Sequence, residues 1–228
     1  MTSVPVISID GPTASGKGTI AQRVANALKF HYLDSGSLYR LVAWKALQGS
    51  GSGADESRLV SIAEGLAPEF LDGRIRLDGN DVTDAIRTES VSRLASKIAV
   101  HVGVRQALLD LQRSQRRPPG LVADGRDMGT IVFPDACLKI YLTASLSARA
   151  ARRYKQLMEK GFPATIDALS QDQVECEIRT RDERDSQRVT APLKPANDAY
   201  LIDSSELAPD EVVALVLDWS QDLLKQSS

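Results

Sequence analysis

Val4-Pro5-Val6-Ile7-Ser8-Ile9-Asp10, running into Gly11-Pro12-Thr13-Ala14-Ser15-Gly16-Lys17-Gly18-Thr19, decides the fold. The first part is a β-branched run closed by a Gly/Pro/Ser-rich loop, which is how a buried parallel strand ends. Beyond the loop, Ile20, Ala21, Val24, Ala25 and Leu28 recur at helical spacing. The segment reads as strand, glycine loop and helix. Gly11 and Gly16 are separated by four residues and followed by lysine, which opens the phosphate-binding pattern. Small residues let backbone N–H groups converge on phosphate oxygens, the helix N-terminus adds partial positive charge, and Lys17 adds a full charge at the terminal phosphates. The pattern expects Ser or Thr directly after the lysine. Here Gly18 precedes Thr19, which shifts the hydroxyl by one residue and leaves its role at Mg2+ open. Spacing and context agree, so a nucleoside triphosphate is the expected ligand.

Further along the chain the same alternation recurs. Phe30 to Leu33 reads as a short strand, and Asp34-Ser35-Gly36-Ser37 supplies cap residues for a helix through Leu38, Leu41, Val42 and Leu47. Gly49 to Gly53 is flexible by composition and reads as a boundary. Glu69 to Thr83 alternates around Asp72-Gly73 and Asp78-Gly79, a signal for a small antiparallel insertion. Helical periodicity resumes over 88–99 and 104–115, and Pro118-Pro119-Gly120 breaks it before the apolar run Leu121-Val122-Ala123-Asp124. Leu138 to Leu142 reads as a strand, Ser147 to Lys160 as a basic helix, Gln171 to Gln187 as a charged helix and Tyr200 to Ile202 as a last strand. The tail from Pro209 to Leu224 is an amphipathic helix that should dock on the body. Strands alternating with helices predict an α/β fold with a parallel sheet core flanked by helices.

Composition narrows the function classes. The chain has 228 residues, 43% of them hydrophobic and 25% charged, as expected of a globule with a real core. Lys and Arg number 28 against 30 Asp and Glu, so bulk attraction to nucleic acid or acidic lipid is not expected. Cys137 and Cys176 lack metal-ligand spacing and read as reduced core thiols. No metal site of protein ligands alone is expected. No apolar run approaches the ~18 residues of a membrane span and no secretory signal is visible, so a cytoplasmic chain is expected.

In an open parallel sheet the ligand crevice lies beyond the carboxyl ends of the strands. Two more loops leave the sheet there, Asp34 to Arg40 and Asp124-Gly125-Arg126-Asp127-Met128-Gly129. Each begins with a carboxylate and carries an arginine. Asp34 and Asp124 read equally as caps or turn formers and as ligand-binding groups. Arg40 and Arg126, each taken alone, read as surface charges, and their joint placement favours the crevice. The densest charge cluster is Arg179 to Arg188. Arg181, Asp185 and Arg188 share a helical stripe with Val174 and Ile178. An inward basic stripe suits transfer between two polyanions. A solvated face laced by i,i+4 pairs is the equal alternative.

At this point the sequence resembles the bacterial cytidylate kinases among the nucleoside monophosphate kinases. Gly11 to Thr19 looks like that family's phosphate loop, where glycine after the lysine is usual. Leu33 to Arg40 and Ala123 to Ala136 are similar to two further family signatures, and Arg181 to Arg188 with Ala191-Pro192-Leu193 looks like its lid-side helix. The resemblance covers nearly the whole chain and is weakest from Gly49 to Leu77 and in the C-terminal tail. It implies a P-loop kinase fold: a core over 1–57 and 101–228 with a lid at about 150–190, and a monophosphate-binding insertion over 58–100.

Residue by residue, the resemblance implies that Arg40, Arg126 and Arg188 hold the acceptor phosphate, and that Arg181 and Asp185 contact the ribose. Ser35, Ser96, Arg105 and Asp127 read the pyrimidine. Ser96 and Arg105 enter on the resemblance only. Arg152 and Arg153 are either at the ATP phosphates or solvated. The expected reaction is reversible transfer of the terminal phosphoryl group of ATP, with Mg2+, to CMP and dCMP. Lys17, Arg126 and Arg188 are its catalytic groups, and Asp124 holds magnesium-bound water. The acceptor oxygen is already ionised, so neither His31 nor His101 is needed as a base. A kinase for UMP or AMP is the near alternative and a nucleotide-gated switch the distant one. The partners expected are small molecules, without nucleic acid or membrane, and the chain is expected to be a monomer.

Overall fold

The computed structural model describes residues 4–49, 55–71, 73–159 and 170–226. The expected boundary at 50–53, Asp72 of the first Asp-Gly turn, and Gly161-Phe162-Pro163 lie outside the described residues. The chain divides into two compact units, Met1–Leu33 with Gln115–Ser228, and Asp34–Ser114.

The larger unit is built on a five-stranded sheet in the order β2-β6-β1-β7-β8. These strands are β1 (Val6–Asp10), β2 (His31–Asp34), β6 (Leu121–Gly125), β7 (Leu138–Thr143) and β8 (Tyr200–Asp203). β1 pairs in parallel with β6 and β7, and β7 with β8. Ile7, Ile9, Val122, Ile140 and Leu142 pack with Ile20, Ala21, Val24 and Ala25 of α1 (Lys17–Leu28) and with Val212, Val213 and Val216 of α8 (Pro209–Gln226). Burying each large aliphatic chain of such a set contributes about 1.5–3 kcal/mol. Register positions the site. Asp10 at the end of β1 is level with Gly125 at the end of β6. The glycine loop and the Gly125 loop therefore leave the sheet side by side, at a point where strand order reverses.

Helices α6 (Leu146–Glu159) and α7 (Gln171–Ser186) pack on one another through Ala150, Leu157, Val174 and Ile178. Cys176 is exposed and Cys137 half-buried, which corrects the expectation of two core thiols. Cys176 follows Val174 by about 200° around the helix and so faces away from the buried stripe.

The smaller unit contains α2 (Ser35–Gln48), α3 (Glu56–Glu64), α4 (Glu89–Ile98), α5 (Val102–Arg113) and the antiparallel sheet β3-β4-β5 over Glu69–Leu71, Arg74–Leu77 and Asn80–Asp81. α2 packs on α4, and α3 on α5. Asp78 and Gly79 both have positive φ, 52° and 82°, the geometry of a tight hairpin turn. The stretch 58–100 expected as an insertion falls inside this unit, which also takes in 34–57 and 101–114. Among the described residues, no helix is long and apolar enough to cross a membrane.

Candidate active site

The glycine loop is packed closely at its start. A Cβ on Gly11 would lie 2.0 Å from the backbone carbonyl oxygen of Leu142 on β7. Gly11→Ala is expected to cost ~1–3 kcal/mol of stability through overpacking. Thermal denaturation checks it, since an unchanged Tm would contradict so close an approach. Gly16, with φ 90°, caps the start of α1 and aims its first N–H groups into the loop. The Ser15 hydroxyl is buried and has no hydrogen-bond partner among the described residues. An incoming phosphate oxygen would satisfy it.

Lys17 is buried and its Nζ donates to the carbonyl oxygen of Pro12 at 2.9 Å. Burial, reinforced by the Arg126 charge and opposed by Asp124, brings the ammonium pKa down to about 7. Burial thus works against the full positive charge expected of Lys17. Gly18 adjoins Asp124, whose Oδ2 accepts a 2.5 Å hydrogen bond from the Tyr32 hydroxyl. Thr19 is exposed on the first turn of α1.

Asp10, absent from the sequence-based site, ties the second loop down. Its carboxylate accepts N–H bonds from Met128 and Gly129, both at 2.8 Å. Burial outweighs these bonds and raises the carboxyl pKa to about 7. The next residues, Met128–Val132, wind into one wide helical turn, in which the Phe133 N–H reaches the Met128 carbonyl at 2.7 Å. Arg126 is thereby presented on a fixed backbone and donates through Nε to Asp185 Oδ2 at 2.9 Å. Asp127 beside it is buried.

Asp185 completes an ionic cluster. Its side chain is 2% exposed and also pairs with Arg188, itself 5% exposed. Burial alone would push the Asp185 carboxyl up, but Arg126, Arg188 and Arg181 outweigh it and hold it below the usual carboxylate range. The stripe of α7 that begins with Val174 and Ile178 does continue inward at Asp185. Arg188 lies just past the helix end, because α7 stops at Ser186. Lys17, Asp124, Arg126, Arg181 and Asp185 are close enough for their charges to act on one another.

In the smaller unit Asp34 acts as the cap that is one of its two readings, and it is also an ion-pair partner. It caps α2 by accepting the Ser37 N–H at 3.2 Å, and it pairs with Arg40 at 3.0 Å. Arg40 is thus anchored rather than simply solvated. Ser35 and Ser96 are buried. The Arg105 guanidinium lies 5.9 Å from the Tyr39 ring centre and donates to the Ala99 carbonyl. His101 pairs with Glu56, and the His31 ring meets the Pro118 carbonyl.

Comparison with known proteins agrees with these sequence signatures. A family model described as cytidylate kinase matches residues 7–222. A cytidylate kinase of Ralstonia nicotianae is 56% identical over 218 residues, covering 96% of this chain and 93% of that protein. One from Ralstonia pickettii is 58% identical over 215 residues, covering 94% and 91%. Among solved structures, an uncharacterized protein from Eubacterium ventriosum aligns over 96% of this chain and 99% of its own, with a TM-score of 0.51 at 10% identity, a likeness of fold alone. With a family model spanning nearly the whole chain and relatives this similar over almost their full length, the protein belongs to the cytidylate kinase family.

Proposed function

We propose that the protein transfers the terminal phosphoryl group of ATP, with Mg2+, to CMP and dCMP, reversibly giving ADP and the nucleoside diphosphate. Alongside the family membership, the observation that carries this reading is the buried cluster of Arg126, Arg188 and Asp185 within electrostatic reach of Lys17. A switch that only hydrolyses ATP has little use for a second cationic pocket.

The loop Gly11 to Thr19 holds the donor phosphates with backbone N–H groups other than that of Thr13, which Asp182 takes, and Lys17 leaves the Pro12 carbonyl to meet the terminal phosphate. Arg40, Arg126 and Arg188 hold the acceptor phosphate. Arg181 and Asp185 contact the ribose, and Ser35, Ser96, Arg105 and Asp127 read the base. The buried carboxylate of Asp124, next to Gly18, would hold water bound to Mg2+, which keeps several waters when it binds phosphates. Magnesium, when bound, supplies charge neutralisation across the transferring phosphates. The acceptor oxygen is ionised at neutral pH, so the protein needs to position and neutralise rather than abstract a proton. α6 and α7 act as the lid that keeps water from the phosphoryl group.

Coupled-assay rates with CMP, dCMP, UMP and AMP at fixed Mg-ATP test this reading. CMP and dCMP are expected to lead. A clear preference for UMP or AMP would reassign the acceptor, and ADP formation indifferent to any acceptor would favour the switch.

Lys17 gives a second test. Its pKa of about 7 in the empty protein leaves it mostly neutral at pH 8, and bound polyphosphate stabilises the ammonium. Nucleotide binding at pH 8 should therefore take up close to one proton, and much less at pH 6. Calorimetry in buffers of different ionisation enthalpy reads this, with Lys17→Met as the variant that abolishes the uptake. By linkage, a lysine pKa lowered on folding makes stability rise with pH above about 7 and up to the ordinary lysine value. Proton release at pH 8 would contradict the assignment.

A further inference from the structure

Thr13, Ala14 and Ser15, in the middle of the glycine loop, are held from α6 and α7. The Thr13 N–H donates to Asp182 Oδ1 at 3.2 Å, and the Thr13 carbonyl accepts from Arg149 Nη1 at 3.1 Å. Arg149 and Asp182 pair directly with each other, and Arg149 Nε is anchored on the Ala144 carbonyl at 3.0 Å. Ala14 packs against the Ala150, Leu157, Val174 and Ile178 cluster. The Ser15 carbonyl accepts from Arg152 at 3.4 Å. Ala14 also has φ 58°, a left-handed conformation that a residue with a Cβ keeps only where its surroundings hold it.

One turn beyond Asp182, Asp185 holds Arg126 and Arg188. The same helix thus carries one carboxylate to the glycine loop and the next to the guanidinium cluster. An i,i+3 pair on a helix has a fixed spacing, so α7 sets the distance between loop and cluster. We propose that Asp182 and Arg149 are a positioning pair that locks Thr13, by its N–H on one side and its carbonyl on the other, to α7, so that the loop takes its nucleotide-ready shape only while α7 is docked. The proposal rests on the reading of this loop as the donor-phosphate site.

Neither residue is a catalytic group. Asp182 occupies the Thr13 N–H with its own carboxylate, and Arg149 faces the loop carbonyl rather than a ligand. Removing the Asp182 charge leaves Arg149 buried without its partner and turns an amide group toward a guanidinium, so the Thr13 peptide loses its hold from both sides. The damage falls on the loop, since Asp185 keeps its two arginines.

Equilibrium binding of Mg-ATP to the full chain, without acceptor, tests the pair. Asp182→Asn is expected to weaken ATP binding by roughly 10-fold with the KM for CMP unchanged, measured well below a Tm that the stranded Arg149 charge lowers. Arg149→Lys, which keeps the charge and loses the fork, should do the same. The double variant should lose no more than the worse single one, because the two act as one unit. Glu183→Gln, an exposed neighbour, removes the same charge and should leave binding as it is. Amide hydrogen exchange over 11–17 should quicken in Asp182→Asn. Equal weakening for ATP and CMP, unchanged ATP affinity in both variants, or additive losses in the double variant would overturn the proposal. If Asp182→Asn does not fold, Arg149→Lys and the exchange pattern decide it. A wild-type protein that binds Mg-ATP but does not phosphorylate CMP would retire the proposed function and leave this pair standing. One that binds no ATP would overturn both.

Discussion

Replacing Arg188 with alanine is expected to lower kcat by roughly 100- to 1,000-fold while the KM for ATP moves by less than about three-fold. The guanidinium is nearly inaccessible to solvent and shares Asp185 with Arg126. A buried cation of this kind is worth far more than one in water, because no solvent reorganises around the charge that builds on the transferring group. The separation of kcat from KM follows from placement. Contacts to the loop residues Thr13 to Ser15 come from Arg149, Arg152 and Asp182, and none of these depends on Arg188. Asp185 keeps Arg126 in the variant, so the carboxylate is not stranded. Arg188→Lys should recover only part of the rate, since an ammonium does not reproduce two parallel N–H bonds to a phosphate. A fully active Arg188→Ala enzyme would remove Arg188 from the site.

Lys17→Met should be the more severe change, with kcat down by roughly 1,000-fold or more. The aliphatic stem of methionine fills most of the buried volume, so the loop is expected to stay folded. Removing a buried amine that sits near Arg126 and Arg181 also relieves repulsion, and the empty variant should be at least as stable as the wild type. Lower activity with an unchanged or raised Tm is the signature. A variant that is inactive because it unfolds would show instead that Lys17 is part of the scaffold.

The reach of the sequence differs between elements for physical reasons. β1, the glycine loop and α1 are readable because a β-branched run, a glycine spacing and a helical period all agree over one short stretch, ending in the buried Ile20, Ala21, Val24 and Ala25. The inward stripe of α7 was one of two equal readings, and burial of Asp185 separates them. α3 was not anticipated, because only Leu59 and Ala63 are buried on it and one apolar pair makes no visible period. An Asp55 cap accepting the Arg58 N–H was the signal available.

In the sequence Asp10 is simply the end of a strand. Its role appears only when Met128 and Gly129, more than a hundred residues away in the chain, bring their N–H groups to it. Asp182 and Arg149 were hidden in charged runs in the same way, because what distinguishes them from solvated neighbours is the Thr13 peptide they meet. The wide turn over Met128–Val132 has no short-range signature at all. Ser96 and Arg105 look like ordinary helix residues in the sequence, and their proposed contacts with the acceptor still come from the family resemblance.

The fate of the phosphoryl group is the most direct test. With γ-labelled ATP, Mg2+ and CMP, the label should appear in CDP in step with ADP, and omitting CMP should nearly abolish ADP formation. Label released as inorganic phosphate at the same rate with or without CMP would contradict transfer between two nucleotides.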